Sequence, residues 1–365
     1  MRAEPDVLVL TPDYPPAVGG IQLLLHRLVR QMEGVRPRVV TLGGPGAAGF
    51  DRAEGVPTRR VASGPLPRAV VAMVNLAGVA WSLRRRPDVV LCGHVALSPA
   101  ARAISAVLGV PYVQYLYGAE ITARPALTAG AVSSAAACIA VSRHSAGLAR
   151  EVGGAPRRME VIPPGVDAPA RGPAGDRERV IVTVARMAEW YKGHDVLVRA
   201  LPLVAARIPD AKWVAIGDGP LRPCIERLAL AAGIGERVQF PGALDDAQRD
   251  SWLDRATVFA MPSRLSGNGR GGGFGIGYLE AGAHGLPVVA GRAGGAADAV
   301  VHGETGLLVD PEDHVAVADA IADLMIDTAR AEAMGRAGAA RAAALSWQAA
   351  AARVGALLRE VARGA

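Results

Sequence analysis

Residues 262–298, PSRLSGNGRGGGFGIGYLEAGAHGLPVVAGRAGGAAD, decide the fold. The apolar run at 256–261 before them predicts a buried strand. Six glycines within 267–275 predict a loop, residues 276–283 predict a short helix, and residues 287–290 predict a second buried strand that ends in a glycine turn. Glycine lets backbone N–H groups approach a ligand closely, and a helix N-terminus adds roughly half a positive charge. The two strand–glycine-turn units therefore suit a phosphate or diphosphate, although glycine loops also serve as plain turns.

Length and composition favour a two-domain α/β protein. The chain has 365 residues, enough for two cores, and it is 51% hydrophobic but only 4% aromatic. The net charge is +6, and no aromatic residues interleave the scattered arginines, which argues against a nucleic-acid surface. Cys92, Cys138 and Cys224 lie far apart in apolar surroundings, so we expect reduced core thiols in a cytoplasmic protein. Residues 1–6 are largely polar and predict no secretory signal.

An apolar run at 69–83 is too short to span a bilayer and is followed by Arg84, Arg85 and Arg86. Two interpretations stay open. The preferred one is a buried helix whose basic end is favourable at a helix C-terminus. The other is a helix that rests on an anionic membrane.

The N-terminal half begins like a doubly wound sheet. Residues 7–10 predict a strand, Gly19 and Gly20 a tight turn, and residues 21–32 a helix. The turn is not G-x-G-x-x-G, and no acidic residue ends the next predicted strand at 38–42. A dinucleotide site is therefore disfavoured.

Three further short strands, at 89–92, 112–115 and 138–141, each end at a polar or glycine-bearing turn. Ligands of such sheets bind at the carboxyl ends of the strands. His94 and Glu120 are therefore candidate site residues, with a purely structural role equally open for each.

The C-terminal half repeats the strand–helix alternation after a segment rich in Pro and Gly. Residues 168–179 lack periodicity and predict an interdomain linker. The alternation that follows implies a second parallel sheet with covered faces. Two Ala-rich helices, at 315–325 and 329–343, and a last helix that starts at Trp347 finish the chain.

Cations and a carboxylate accompany the glycine turns of this half. Arg186 and Lys192 are six residues apart in a loop after a strand, and together with the turns at 273–275 and 294–295 they would neutralise a diphosphate. Glu280 could accept both vicinal hydroxyls of a ribose. No Asp-x-Asp, Cys/His cluster or H-E-x-x-H is present in the sequence, so nothing indicates a bound metal.

The joint order of the motifs resembles family 4 of the retaining glycosyltransferases. The motifs are PDYPPAVGGIQ, VSRHS, VIPPGVD, VTVARMAEWYKGHDVLVRAL, IGDGPLRPCIERLA, RVQFPGAL, GGGFGIGYLEAGAHGLPVVAGRAGGAADAV and HGETGLLVDP. The resemblance implies a GT-B fold, with two Rossmann-like doubly wound domains facing across a cleft. Residues 1–167, with 346–365 crossing back, would bind the acceptor, and residues 168–345 the nucleotide sugar. The motif style is most similar to bacterial phosphatidylinositol mannosyltransferases and related actinobacterial enzymes.

The resemblance also implies roles for individual residues. The donor and its nucleotide would be bound by Gly19, Gly20, Arg186, Lys192, Phe240, Gly242, Gly273, Phe274, Gly275, Ile276 and Glu280. Within this set, Phe240 and Gly242 would read the base, Gly275 and Ile276 would present N–H groups to a phosphate, and Glu280 would hold the ribose. Arg186, Lys192, Tyr117 and Glu120 are the catalytic candidates, and His94, Tyr117 and Glu120 are the acceptor-side candidates.

Two positions depart from the family pattern. Gly272 stands where the family usually has a Glu that contacts the donor sugar, and Tyr117 stands where it often has a His near the reacting centre. A Tyr hydroxyl could replace one hydrogen bond of that His but not its positive charge.

The expected activity is metal-independent, retaining transfer of a hexosyl group from a UDP- or GDP-sugar to an acceptor hydroxyl. No cofactor is expected beyond the nucleotide sugar, which is a co-substrate. The acceptor would be a small natural product or a lipid headgroup. Alternatives are a degenerate nucleotide-sugar-binding partner protein without activity of its own and a GT-B sugar epimerase. We expect a cytoplasmic protein and no nucleic-acid partner; peripheral contact with the inner membrane face and the oligomeric state stay open.

Overall fold

The computed structural model describes residues 4–62, 67–169, 177–267, 269 and 271–364. The chain divides into two compact units. The first comprises Met1–Pro164 and Trp347–Ala365, and the second comprises Gly165–Ser346. The segment 168–179, expected as an interdomain linker, thus falls inside the second unit, and its residues 170–176 lie outside the described part. Residues 1–3, Asn268 and Arg270 also lie outside it.

The first unit is built on a parallel sheet whose described strands follow the order β3-β2-β1-β4-β5-β6-β7. The strands are Asp6–Leu10 (β1), Arg36–Leu42 (β2), Thr58–Val61 (β3), Val89–Cys92 (β4), Tyr112–Leu116 (β5), Ala137–Ala140 (β6) and Met159–Val161 (β7). The central strands β1, β4, β5 and β6 are buried throughout, as expected for a parallel sheet covered on both faces.

Helices connect these strands. They are Gly20–Gln31 (α1), Ala47–Glu54 (α2), Pro67–Arg84 (α3), Ser98–Leu108 (α4), Ala119–Ala123 (α5), Pro125–Ser134 (α6) and Arg143–Glu151 (α7). The predicted first unit of strand, glycine turn and helix is confirmed, with α1 starting one residue earlier than expected.

The second unit repeats this plan, with the described strands in the order β10-β9-β8-β11-β12-β13. The strands are Val180–Val184 (β8), Lys212–Ile216 (β9), Val238–Gly242 (β10), Val258–Met261 (β11), Val288–Gly291 (β12) and Gly306–Val309 (β13). The helices are His194–Arg207 (α8), Arg222–Ala231 (α9), Asp246–Arg255 (α10), Ile276–Ala283 (α11), Ala296–Ala299 (α12), His314–Ile326 (α13) and Thr328–Ala344 (α14). All described neighbours are parallel, so the predicted doubly wound α/β fold is confirmed.

The last helix, Trp347–Arg363 (α15), belongs to the first unit although it follows the second in sequence. It packs against α1, β4 and β5. Its inner face buries Trp347, Val354, Leu357 and Leu358. The first core is therefore completed only by the end of the chain.

The preferred interpretation of the apolar run at 69–83 is wrong for one face of α3. Met73, Leu76 and Leu83 are 48%, 70% and 59% exposed, so the helix is not fully buried. Its basic end is partly used within the unit, because Arg85 pairs with Asp6 at 2.6 Å. No helix in the described ranges combines the length and apolar character needed to cross a membrane.

The cysteines are unpaired thiols. Cys92 and Cys138 lie in the first core, as expected. Cys224 is only half-buried, because the first turn of α9 leaves it near the surface, so its assignment as a core residue is wrong.

Both sheets reverse their strand order at one point. The reversal lies between β1 and β4 in the first unit and between β8 and β11 in the second. The loops that follow two such strands diverge and leave a crevice at their carboxyl ends, where ligands of open α/β sheets bind. In the second unit these loops are the Arg186–Lys192 loop and the glycine-rich loop.

Candidate active site

The loop after β8 is fixed against the start of the glycine-rich loop. Its residues Trp190–Lys192 form one 3₁₀ turn, and Gly193 caps α8 with φ of 80°. A Cβ at Gly193 would lie 2.3 Å from the Pro262 carbonyl oxygen. The backbone N–H of Arg264 donates to the Tyr191 carbonyl over 2.8 Å. A close backbone approach therefore joins the two loops, and only glycine permits it.

Two cations lie in the loop after β8. Arg186 is exposed and Lys192 is half-buried, with its Nζ 5.1 Å from the centre of the Tyr191 ring. Burial lowers the pKa of Lys192, Glu189 raises it, and the charge of Arg186 lowers it. Among the described residues, no ion pair with a carboxylate is found for Arg186 or Lys192. Two like charges without such a partner suit a bound anion.

The two glycine turns pack directly on each other. The backbone N–H of Gly295 donates to the Gly272 carbonyl over 3.0 Å, and a Cβ at Gly295 would lie 1.9 Å from the Gly273 oxygen. Helix α11 begins at Ile276, as predicted, and is capped by Gly275 with φ of 95°.

The first turn of α11 lies against the end of β8. A Cβ at Gly277 would sit 3.4 Å from the Val184 carbonyl oxygen. The N-terminus of α11 and the start of the cation loop therefore share one edge of the second sheet.

Glu280 lies one turn into α11, with its side chain 19% exposed. The nearest described cation is Arg249, whose Nη1 is 3.9 Å from Oε1. Burial raises the pKa of Glu280, and Arg249 lowers it. We find no hydrogen bond from the described residues to either carboxylate oxygen, so both could accept ligand hydroxyls.

Phe240 and Gly242 lie on the edge strand β10, and their carbonyl groups already have partners. The Phe240 oxygen accepts from Arg222 Nη2 over 2.8 Å, and the Gly242 oxygen accepts from the Gly217 N–H over 2.9 Å. The Phe240 ring meets Trp213 edge to face. Each carbonyl oxygen keeps a second lone pair, and base reading by this strand stays a prediction. Sequence reasoning missed Arg222, although it lies within the motif IGDGPLRPCIERLA, because the motif does not show that its side chain reaches the Phe240 carbonyl.

In the first unit, Gly19 caps α1 and Gly20 begins it. The loop before them is tied down from two sides. Gln22 Nε2 donates to Asp13 Oδ1 over 2.9 Å, and Arg60 Nη2 donates to the Pro15 carbonyl over 2.6 Å. Sequence reasoning missed Arg60 because its strand β3 shows no apolar alternation.

His94 follows β4 and is held as a neutral ring. Its Nδ1 accepts the Ala96 N–H over 3.0 Å, so the ring proton is on Nε2. Burial lowers the His94 pKa to about 4, helped by the charge of Arg124. His94 could therefore donate one hydrogen bond at neutral pH.

Tyr117 and Glu120 both form hydrogen bonds within the first unit. The Tyr117 hydroxyl donates to the Gly93 carbonyl over 2.8 Å, and burial raises its pKa well above the usual value. Glu120 accepts from the N–H groups of Tyr117 and Gly118 over 2.6 and 3.0 Å, and burial raises its pKa. These contacts give each residue a structural role; their predicted catalytic roles stay predictions.

Within the described ranges, no three His, Cys, Asp or Glu side chains gather as they would around a metal ion. Metal-independent chemistry stays a prediction.

Comparison with known sequences identifies the family of this chain. The family model described as "Glycosyl transferases group 1" matches residues 178–327, and that described as "Glycosyltransferase Family 4" matches residues 18–169. The chain is 35% identical to a GDP-mannose-dependent alpha-(1-6)-phosphatidylinositol monomannoside mannosyltransferase of Mycolicibacterium smegmatis, over 91% of this chain and 92% of that protein. It is 33% identical, over the same shares, to the Mycobacterium tuberculosis protein of that name.

Solved structures agree on the fold. A sucrose-phosphate synthase from Thermosynechococcus elongatus matches with a TM-score of 0.85 at 22% identity, over 99% of this chain and all of that one. Anabaena HepE in complex with UDP and glucose matches with a TM-score of 0.81 at 20% identity, over 98% of this chain and all of that one. This chain therefore belongs to glycosyltransferase family 4, a family of enzymes, and its two α/β units have the GT-B fold.

Proposed function

We propose that this enzyme transfers a mannosyl group from GDP-mannose to a hydroxyl of an inositol-containing lipid headgroup. The names of the two mycobacterial relatives support this donor and acceptor. The observation that carries the proposal is Glu280, a largely buried carboxylate in the second unit without a hydrogen bond from the described residues. Burying a charged group without hydrogen bonds is unfavourable, so a ligand diol is the natural partner of this side chain.

In the proposed reaction, the bond between sugar C1 and the diphosphate oxygen breaks and the acceptor oxygen bonds to C1. The leaving diphosphate accepts the acceptor proton, so the retaining reaction uses no base from the protein. Arg186 and Lys192 stabilise the charge that develops on the diphosphate, with the N-terminus of α11 adding its partial positive charge. No metal takes part in this scheme.

The lipid acceptor gives the exposed face of α3 a role. Met73, Leu76 and Leu83 would enter the interface of an anionic membrane, next to Arg84 at the end of the helix. This contact would bring the first unit to the surface that holds its acceptor.

The first test is thermal stabilisation by GDP, UDP, ADP and NAD in EDTA. A ligand that binds only the native state raises its stability, so we expect a saturable shift with GDP. Lys192→Ala should abolish the shift. Lys212→Ala is the matched control. Lys212 is an exposed lysine at the N-terminal end of strand β9, away from the carboxyl ends of the strands where the ligand is proposed to bind. A shift with NAD alone, or with none of the four unless a metal is added, contradicts the proposal.

The second test is turnover of GDP-mannose with a phosphatidylinositol mannoside in EDTA. Transfer with an α-linked product, identified by NMR, is expected. Conversion of the donor to an epimer without acceptor would identify an epimerase instead. Tight GDP-mannose binding without turnover would identify a binding partner protein.

The third test is cosedimentation with vesicles of phosphatidylcholine and phosphatidylinositol. Leu76→Glu should weaken binding. Leu230→Glu should not, since Leu230 is equally exposed at 70% but lies in the second unit. Equal binding by both variants would remove α3 from the proposal.

A further inference from the structure

The carboxylate proposed to hold the ribose is paired in an unusual way. Arg249 Nη1, on α10, lies 3.9 Å from Glu280 Oε1. At this distance the charges attract each other, but no direct hydrogen bond forms. Both lone-pair sets of the Glu280 carboxylate thus remain available to a ligand.

Hydrogen bonds within its own helix keep the Arg249 guanidinium from moving closer to Glu280. Nη1 donates to Asp246 Oδ1 over 2.8 Å, and Nη2 donates to Asp250 Oδ1 over 2.8 Å. The helix is started by a reciprocal capping box between Asp245 and Gln248. The guanidinium is therefore held in place with one edge toward Glu280.

The network continues to the far end of α11. Asp250 Oδ1 is 3.6 Å from His284 Nε2, and His284 Nδ1 is 2.7 Å from Asp254 Oδ1. His284 is the C-cap of α11 and is buried. Helices α10 and α11 are thus connected both at Glu280 and at the end of the helix that carries it.

We propose that Arg249 is a positioning residue for nucleotide binding, which keeps the Glu280 carboxylate ionised and unbonded so that both its oxygens can accept the two ribose hydroxyls. This inference rests on the proposed function of Glu280. It concerns a residue that no sequence motif identifies.

The electrostatics around Glu280 give Arg249 this role. Burial raises the pKa of Glu280, and Asp250 and Asp246 raise it further, while Arg249 and His284 lower it. An opposite charge at this distance lowers the pKa of a carboxyl group, because it stabilises the ionised form. Without Arg249, Glu280 would take up a proton at a higher pH, and a protonated carboxyl offers fewer acceptor sites.

The test compares Arg249→Gln with Arg255→Gln by calorimetric titration of GDP and 2′,3′-dideoxy-GDP between pH 5 and pH 8. Arg255 is a matched control on the same helix, stacked over Trp252 and paired with Glu178. The GDP affinity of the wild type should fall with falling pH as Glu280 is protonated. The midpoint of this loss should move to higher pH in Arg249→Gln. It should stay unchanged in Arg255→Gln, and the dideoxy nucleotide should bind all three proteins equally weakly.

Arg249→Lys keeps the charge and should restore a midpoint near that of the wild type. It also replaces Arg249→Gln as the informative variant if the latter does not fold. An unchanged midpoint in a folded Arg249→Gln protein, or a midpoint in Arg249→Lys at clearly higher pH than in the wild type, overturns the inference. Failure of GDP to bind the wild type would instead refute the proposed function, so the two failures are distinguishable.

Discussion

Replacing Gly193 by Ala tests the close approach that joins the cation loop to the glycine-rich loop. A Cβ there would lie 2.3 Å from the Pro262 oxygen, whereas ordinary contact begins at 3.4 Å, so the two backbones would have to separate by about 1 Å. A displacement of that size near a catalytic site costs roughly 100-fold in rate. Because Lys192 directly precedes Gly193, we expect kcat/KM to fall by about that factor.

Gly233→Ala is the matched control. Gly233 has φ of 72° against 80° for Gly193, but a Cβ there meets no atom within 4 Å. In both variants a Cβ is placed on a left-handed backbone, which lowers the free energy of unfolding by roughly 1–2 kcal/mol. For a unit of this size, that penalty lowers Tm by about 2–4 °C per kcal/mol.

Gly193→Ala should lose clearly more stability than the control, measured by calorimetry, and it alone should lose activity. If both variants have the same Tm and Gly193→Ala retains full kcat/KM, the close approach does not position Lys192, and the reasoning is refuted.

Glu280→Gln should raise the Tm of the ligand-free enzyme at pH 8, because burial raises the pKa of Glu280 and disfavours its charged form. That gain should vanish as the pH falls toward about 4, where unfolded glutamate is also protonated, and a gain independent of pH would contradict this cause. Arg264→Gln breaks a bidentate pair with Asp195, in which both bonds are 3.0 Å long. The free energy of unfolding, measured by chemical denaturation, should fall by about 1.5–3 kcal/mol, and GDP should bind more weakly. Unaltered GDP affinity would show that the pair does not support the site. Leu357→Ala in the last helix should lower the free energy of unfolding by about 2–5 kcal/mol. The control Leu230→Ala, at an exposed position, should lower it by less than about 0.5 kcal/mol. Similar unfolding midpoints for the two variants would exclude α15 from the first core.

Elements with strong periodicity were predictable from the sequence. The bounds of β4 and α11 coincide with those expected, because β4 is a short apolar run that ends at a polar turn and α11 begins directly after a glycine-rich loop. The sequence also predicted that both glycine turns serve one site, since parallel strands bring their carboxyl ends to one edge, but it did not predict their direct backbone contact.

Other features could not be predicted in this way. Strand β3 is an edge strand of sequence TRRV, which needs little apolar surface, so its pattern carries no strand signal. Whether α3 is buried depends on what covers it, and no local pattern contains that information. Arg249 and Arg222 act through partners 31 and 18 residues away, which only folding brings near.

The sequence by itself determined the doubly wound α/β class, the glycosyltransferase family and the elements that carry the candidate site, because these depend on local periodicity and on the order of motifs. The tertiary structure alone decided which of those residues remain free to bind. It gives the Tyr117 hydroxyl a hydrogen bond to the Gly93 carbonyl, 24 residues away, while it leaves the Glu280 carboxylate without one among the described residues. The physical reason is that hydrogen bonds and desolvation are set by neighbours far apart in sequence, so a side chain's availability is a property of the packed chain.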